Sequence, residues 1–294
     1  SALQKGVSEE DISSIKGVAS KFLVKKGAKD TDVELTRIPS LEALPIPDRT
    51  LLPYRKYYSV LSHSTNIATM ITTRGCPYRC IYCDRMGKTF RSTSADYVVS
   101  EIETILSLGI REIFFHDDTF NVDKKRVVDL CERILDKKLK FKWDARARVN
   151  CADYNQLLLM KKAGCSRISF GVESGNPDVL KNLRKGITLE QVETVFQWCR
   201  ELQISSLADF MIGSPGETLN EIQDTIRFVK KLKPDYVQFS IVCPYPDTDL
   251  YRLCLNNNMI NEDVWLNYSK NPSVDFEPPI WNENFSRFEL ESIT

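Results

Sequence analysis

The stretch Ser166-Arg167-Ile168-Ser169-Phe170-Gly171-Val172 is followed by Glu173-Ser174-Gly175-Asn176, and then by a helical run from Pro177 to Leu202 that Gly186 interrupts. A short β-rich run, a glycine-bounded turn and a helix-period segment make one strand–helix unit. The same alternation extends in both directions. Strand-like runs at 66–73, 112–116, 142–146, 205–212 and 236–242 alternate with helical ones at 95–108, 124–137, 154–163 and 217–232. Asp123 stands where it can cap a helix, Thr188 with Gln191 and Thr218 with Glu221 form capping-box patterns, and Gly109 and Gly164 stand where helices should stop. Alternating units of this kind imply parallel strands with right-handed crossovers. Six units are too few for an eight-fold barrel, so the expected fold is α/β, a partial (βα)6 TIM-like barrel with parallel strands. Ligands of such sheets gather at the carboxyl ends of the strands, which directs attention to the residues just after each one.

The chain has 294 residues, 42% hydrophobic and 27% charged, long enough for one large domain with appendages. Forty basic and forty acidic side chains cancel, which argues against a protein held to nucleic acid by its overall field. No apolar run approaches the roughly 18–20 residues needed to span a bilayer. Nine cysteines without a secretory signal read as reduced thiols, hence a cytoplasmic location. Residues 1–58, interrupted by Pro39, Pro45, Pro47 and Pro53, read as a connector, with 1–20 the tail of a preceding domain. Residues 59–255 form the barrel. Residues 256–294, rich in Asn, Pro and aromatics, cover its mouth or belong to a truncated tail.

Directly after the first strand comes Arg74-Gly75-Cys76-Pro77-Tyr78-Arg79-Cys80-Ile81-Tyr82-Cys83. Iron–sulfur clusters are held by cysteine thiolates, usually four. Here the next cysteine is Cys131, inside a helical run, so Cys76, Cys80 and Cys83 would leave one iron of a 4Fe–4S cluster with an open, reactive site. A zinc knuckle with His116 as a distant fourth ligand is the alternative, although His116 reads better as a packed strand residue. Cys131, Cys151, Cys165, Cys199 and Cys254 read as small core residues, and Cys243, at a strand end near the expected mouth, reads as a buried thiol, with substrate contact as the alternative.

The C-x-x-x-C-x-aromatic-C spacing, with Tyr82 at the aromatic position, resembles the loop motif of the radical S-adenosylmethionine superfamily, and the resemblance spans roughly 65–251. It implies that the open iron is chelated by the amino and carboxylate groups of S-adenosylmethionine, whose reductive cleavage yields a 5′-deoxyadenosyl radical. It also implies an external electron donor such as a flavodoxin or ferredoxin. In that family the end of the second strand accepts hydrogen bonds from the cofactor's amino group. Here the position holds Asp117 and Asp118 in place of the usual Gly-Gly-Glu, and which of the two serves is open. Arginine grips a carboxylate with two parallel hydrogen bonds, so Arg146 is the first candidate for the methionyl carboxylate, with Arg148 behind it. Glu173 and Ser174 suit the ribose hydroxyls or the sulfonium side, the alternative being a turn into a helix capped near Asn176. The tight turn after Met211-Ile212-Gly213 would offer backbone amides to the adenine, with Met211 and Ile212 packed against it.

The strings D-D-T-F, G-V-E-S-G, M-I-G-x-P-G-E-T and P-Y-P-x-T, together with Leu44-Pro45-Ile46-Pro47-Asp48-Arg49, most resemble the cobalamin-associated branch of that superfamily. Its members methylate unactivated carbon or close rings oxidatively, with cobalamin bound in a preceding domain by a D-x-H-x-x-G motif that is absent here. Cobalamin is therefore expected to bind mainly outside this chain, and the substrate to be a small molecule rather than a nucleic acid. Two other readings remain: a cobalamin-independent enzyme such as a tRNA methylthiotransferase, and a non-enzymatic iron–sulfur electron carrier. Trp143, Tyr245, Trp265 and Trp281 suit either a substrate pocket or core packing.

Overall fold

A computed structural model of the chain describes residues 40–84, 89–260 and 263–293. It divides into two compact units, Ser1–Pro45 and Ile46–Thr294. In the first, the described residues form a single 3-10 turn, Leu41–Ala43, whose Glu42 amide is capped by the Ser40 side chain. The tail expected at residues 1–20 lies outside the described residues.

The second unit is built on a six-stranded sheet of β1 (Ala68–Met70), β4 (Glu112–Phe115), β5 (Lys142–Ala147), β6 (Cys165–Glu173), β7 (Ser205–Ile212) and β8 (Tyr236–Ile241), in that spatial order. Every neighbouring pair is parallel. The connecting helices are α1 (Ala95–Ser107), α2 (Lys124–Asp136), α3 (Tyr154–Lys162), α4 (Pro177–Asn182), α5 (Leu189–Glu201) and α6 (Leu219–Leu232), and α7 (Asp249–Asn256), α8 (Val264–Lys270) and α9 (Arg287–Ile293) follow. Spatial order following chain order is what repeated crossovers of one hand produce.

The local signals act as expected. Asp123 accepts from the Arg126 amide at the start of α2, and both capping boxes are formed. Gly109 and Gly164 follow α1 and α3 with positive φ. Alternation sorts the strands into two faces. Ile113, Phe115, Trp143, Ala145, Ile168, Phe170, Ala208 and Phe210 face the helices in one continuous core with Val98, Ile102, Leu130, Leu157 and Phe196. Trp143, which the sequence left between pocket and core, is fully buried and donates its indole N–H to the Ala163 carbonyl at 2.9 Å. The opposite face carries His116, Asp144, Arg146, Arg167, Ser169 and Asp209, which line a cavity on the inside of the curved sheet.

The first strand departs from expectation. The run 66–73 does not stay in one ladder. β1 ends at Met70, and Thr73–Arg74 (β2) pairs antiparallel with Arg91–Ser92 (β3). The cause is Asp117, whose Oδ1 accepts from the amides of Thr72 (2.5 Å) and Thr73 (2.9 Å) and whose Oδ2 accepts from the Thr72 hydroxyl (2.6 Å). These contacts turn the chain out of the sheet.

Residues 49–67 are strapped onto the barrel by side chains that meet main chain. Arg49 donates to Glu101 (2.6 Å) on α1 and to the Thr69 carbonyl (2.9 Å) in β1. Arg167 donates to the Leu61 carbonyl, and Glu112 accepts from the amides of His63 and Ser64 (both 2.9 Å). The Arg49–Glu101 side chains are only 13% and 7% exposed. Arg49→Met should therefore cost about 3–5 kcal/mol of unfolding free energy by stranding a buried carboxylate. The double variant with Glu101→Leu should recover most of that loss, as read from denaturant midpoints.

Candidate functional site

The cysteine loop begins where β2 leaves the sheet, and its base is closed by the Thr73–Ser92 and Arg74–Arg91 pairing. Asp117 fixes the two residues before it. Asp118, exposed beside the loop, accepts from the Gly75 amide at 3.1 Å. The middle of the loop is stitched by Ile81, whose amide donates to the Leu183 carbonyl (3.1 Å) and whose carbonyl accepts from the Leu250 amide (2.9 Å). Ile81 itself is buried with Val179, Leu183, Val242, Leu250, Cys254 and Trp281. Helices α4 and α7 and the C-terminal segment thus hold the loop down over the carboxyl ends of the strands.

Cys76 and Cys80 are buried and Cys83 is exposed. The Cys76 sulfur lies 3.5 Å from the Thr119 hydroxyl, and Arg148 Nη1 donates to the Cys80 sulfur at 3.6 Å. The Arg148 guanidinium also stacks on the Tyr78 ring, 3.8 Å from its centroid. Partial burial, then the neighbouring Cys80 and Cys76 sulfurs and the Asp118 carboxylate, push the Cys83 thiol up to about 11, with Lys185 opposing. Three soft sulfur donors on one loop, flanked by Arg148 and Lys185, fit an iron–sulfur cluster, and their protons would leave as it binds. The zinc alternative drew His116 to the thiols, but His116 lines the inner cavity. Among the described residues no group of three or more His, Cys, Asp or Glu is arranged to hold a single metal ion. The remaining thiols separate by burial. Cys131, Cys165, Cys199 and Cys254 are core, whereas Cys151 is half-buried, 2.8 Å from the Tyr78 hydroxyl, and Cys243 is half-buried at the end of β8.

Tyr82 and Glu173 meet, together with a residue that sequence reasoning missed. The Tyr82 hydroxyl donates to Glu173 Oε1 at 2.9 Å, and Lys185 Nζ donates to the same oxygen at 2.7 Å and to the Tyr82 hydroxyl at 3.3 Å. Glu173 holds φ +72° at the point where the β6–β7 register slips, a strained conformation for a non-glycine residue. Gly171 makes room for the pair, since a Cβ there would lie 2.9 Å from Lys185 Nζ and closer still to Glu173. Lys185 stands in an ordinary-looking Arg-Lys-Gly string between two helices, and a buried lysine there could have been anticipated only from the Gly186 break.

The other expected positions divide. Ser174 is fully buried, 3.1 Å from the Thr225 hydroxyl, and accepts from the Asn176 amide, while Asn176 caps α4. Asp117 is 1% exposed, and burial raises its carboxyl against the pull of its hydrogen bonds. Arg146, in β5 two residues before the buried Arg148, is exposed and lines the inner cavity. Met211 packs beside the Ile81 cluster, and Ile212 is core. The Gly213 turn offers fewer amides than expected. Glu217 Oε2 accepts from the Ser214 amide at 3.0 Å, and Leu290 of α9 fills the space that a Gly213 Cβ would enter, 2.7 Å away. Tyr245 stacks on Trp265 at 5.4 Å, and Trp281 is buried.

Burial raises the Glu217 carboxyl to about 7. A folded-state value above the unfolded one contributes stability at low pH that is lost as pH rises through about 7. The melting temperature should fall between pH 5 and 8, and Glu217→Gln should flatten that slope and raise stability at pH 8, by at most a few kcal/mol.

The family model of the radical SAM superfamily matches residues 70–229. An uncharacterized methyltransferase of Pyrococcus horikoshii is 34% identical over 87% of this chain and 56% of its own length. The anaerobic magnesium-protoporphyrin IX monomethyl ester cyclase of Rubrivivax gelatinosus is 26% identical over 70% of this chain and 38% of its own. The chain therefore spans about four to six tenths of these curated relatives. The solved radical S-adenosylmethionine methyltransferase TsrM from Kitasatospora setae, with cobalamin and a [4Fe-4S] cluster bound, superposes with TM-score 0.62 and 22% identity, covering 65% of this chain and 40% of that one. That superposition shows a shared fold. No helix among the described residues is long and apolar enough to cross a membrane. Three thiols on a clamped loop at the strand ends of a six-stranded parallel sheet, and a family match over more than half the sequence, lead to one conclusion: this chain belongs to the radical SAM superfamily, whose members use S-adenosylmethionine and a 4Fe–4S cluster, with relatives in its cobalamin-dependent methyltransferase branch.

Proposed function

We propose that this chain is the catalytic part of a cobalamin-dependent radical S-adenosylmethionine enzyme that methylates carbon or closes a ring on a small-molecule substrate, with Cys76, Cys80 and Cys83 holding the cluster. The observation that carries the reading is the loop itself, three thiols pinned at base and middle beside Asp118, Arg148 and Lys185. When bound, the cluster would supply the electron that cleaves S-adenosylmethionine to a 5′-deoxyadenosyl radical.

The residues around it divide the work of binding that cofactor. Of the two carboxylates, Asp118 is the one assigned to the cofactor's amino group in this reading. Asp117 has spent its oxygens on Thr72 and Thr73, whereas Asp118 is exposed beside Cys83 and free to accept from an ammonium group. Lys185 and Arg148, two cations beside the thiols, would hold the methionyl carboxylate in place of Arg146. Glu173 is aimed by Tyr82 and Lys185, ready to accept from ribose hydroxyls. Methyl transfer is favoured by the 34%-identical relative, a methyltransferase, and ring closure by the cyclase at 26%. A flavodoxin or ferredoxin as donor belongs to the same proposal, as does cobalamin bound outside this chain.

Anaerobic reconstitution should give the full chain a 4Fe–4S cluster and reductant-dependent release of 5′-deoxyadenosine. Cys80→Ala should abolish both, and Cys199→Ala should spare both. Cys151→Ser should retain the cluster, and losing an iron ligand in that variant would reveal a fourth protein thiolate and sink the reading. Asp118→Asn should weaken S-adenosylmethionine binding about 10–100-fold, as loss of a charge-assisted hydrogen bond does. Asp117→Asn should instead lower loop stability and cluster retention.

A further inference from the structure

The inner face of the sheet is charged. The cavity there, about 220 Å³, is floored by Arg167 paired with Asp144, side chains 6% and 17% exposed. Above that floor stands a ring of His116 just after β4, Arg146 on β5, Ser169 on β6, Asp209 on β7 and Gln238 on β8. Ser169 donates to Asp209 Oδ2 at 2.6 Å. Among the described residues the other Asp209 oxygen and the Arg146 guanidinium have no hydrogen-bond or ion-pair partner. They sense each other, since the Arg146 charge pulls down an Asp209 carboxyl that burial raises, yet they do not join. This arrangement differs from Asp144–Arg167 one layer lower, where the same two residue types close on each other.

An apolar group seated against this ring would take water from Arg146, Asp209 and His116 without offering hydrogen bonds in return, at a cost of about 1–3 kcal/mol for each group so covered. A group carrying both charges satisfies them together. We propose that the ring of Arg146, Ser169 and Asp209 is the substrate-specificity site and takes a zwitterionic head group, its anion on Arg146 and its ammonium on Asp209. The inference rests on the proposed function only in treating the inside of the barrel as the substrate chamber. It assigns Arg146 to substrate and leaves cofactor binding to Asp118, Lys185 and Arg148.

The test is calorimetric titration of the cluster-reconstituted full chain, without reductant, using four probes that share an isobutyl tail: L-leucine, 4-methylpentanoate, 3-methylbutylamine and 3-methylbutan-1-ol. L-leucine should bind at least about tenfold tighter than the other three, the usual gain from a charge-assisted pair. Arg146→Met should erase the discrimination between leucine and the amine, and Asp209→Asn that between leucine and the acid. Lys138→Ala, at the opposite pole of the barrel, should change neither. Equal or tighter binding of the alcohol, no binding of any probe, or both ring variants keeping wild-type discrimination would each overturn the proposal. So would displacement of leucine by S-adenosylmethionine, which would return the ring to the cofactor. Release of 5′-deoxyadenosine, measured on the same preparation, reports separately on the enzymatic reading. Intact release with failed titration defeats this inference alone.

Discussion

One carboxylate decides where the cysteine loop goes. Asp117 ends the second barrel strand, is sealed from water, and spends both oxygens on the backbone and hydroxyl of Thr72 and the amide of Thr73. Those amides would otherwise continue the ladder that pairs β1 with β4. Removing them turns the chain outward into the short β2–β3 ladder from which the thiols hang. Buried donors and acceptors must find partners, so the turn is as strongly specified as the sheet it leaves. Arg126 extends the clamp, reaching the Thr93 carbonyl and the Thr72 hydroxyl from α2. The base of the loop is thereby tied to two strands and a helix.

The same economy organises the strand ends. Glu173 stays in a strained, left-handed conformation because Tyr82 and Lys185 both bind one of its oxygens in a space that only Gly171 leaves open. Strain held by surrounding contacts is characteristic of sites that must present a group without reorganisation. On the outer face of each strand, apolar side chains make one core with the helices. On the inner face, charge accumulates inward from the thiols to the Arg167–Asp144 floor. The polar side chains that line the inner cavity and the apolar ones that build the core therefore come from alternate positions of the same strands.

Much of this was legible in the chain. The six strand–helix units, the caps at Asp123, Thr188 and Thr218, and the division at Gly186 rest on local hydrogen bonding and periodicity, which a few neighbouring residues settle. Cys76, Cys80 and Cys83 were legible as a set because their spacing lies within one loop. The illegible parts are long-range. Lys185 joins Tyr82 across 103 positions, and Leu290 closes over Gly213 from the far end of the sequence. His116 looked like a packed strand residue, but it follows β4 on the face opposite Ile113 and Phe115 and lines the inner cavity. Cys151 looked like core, but the Tyr78 hydroxyl draws it to the cysteine loop.

The sequence alone determined the class of fold, the order of its units and the three-sulfur loop, because each depends on interactions between residues close along the chain. Tertiary structure decided which carboxylate is structural and which is exposed, where Arg146 sits relative to Arg148, and which amides of the Gly213 turn are already taken by Glu217. Those outcomes depend on burial and on partners supplied by other strands and helices. Identical residue types, such as Asp117 and Asp118, acquire opposite surroundings once one faces the interior and its neighbour faces solvent.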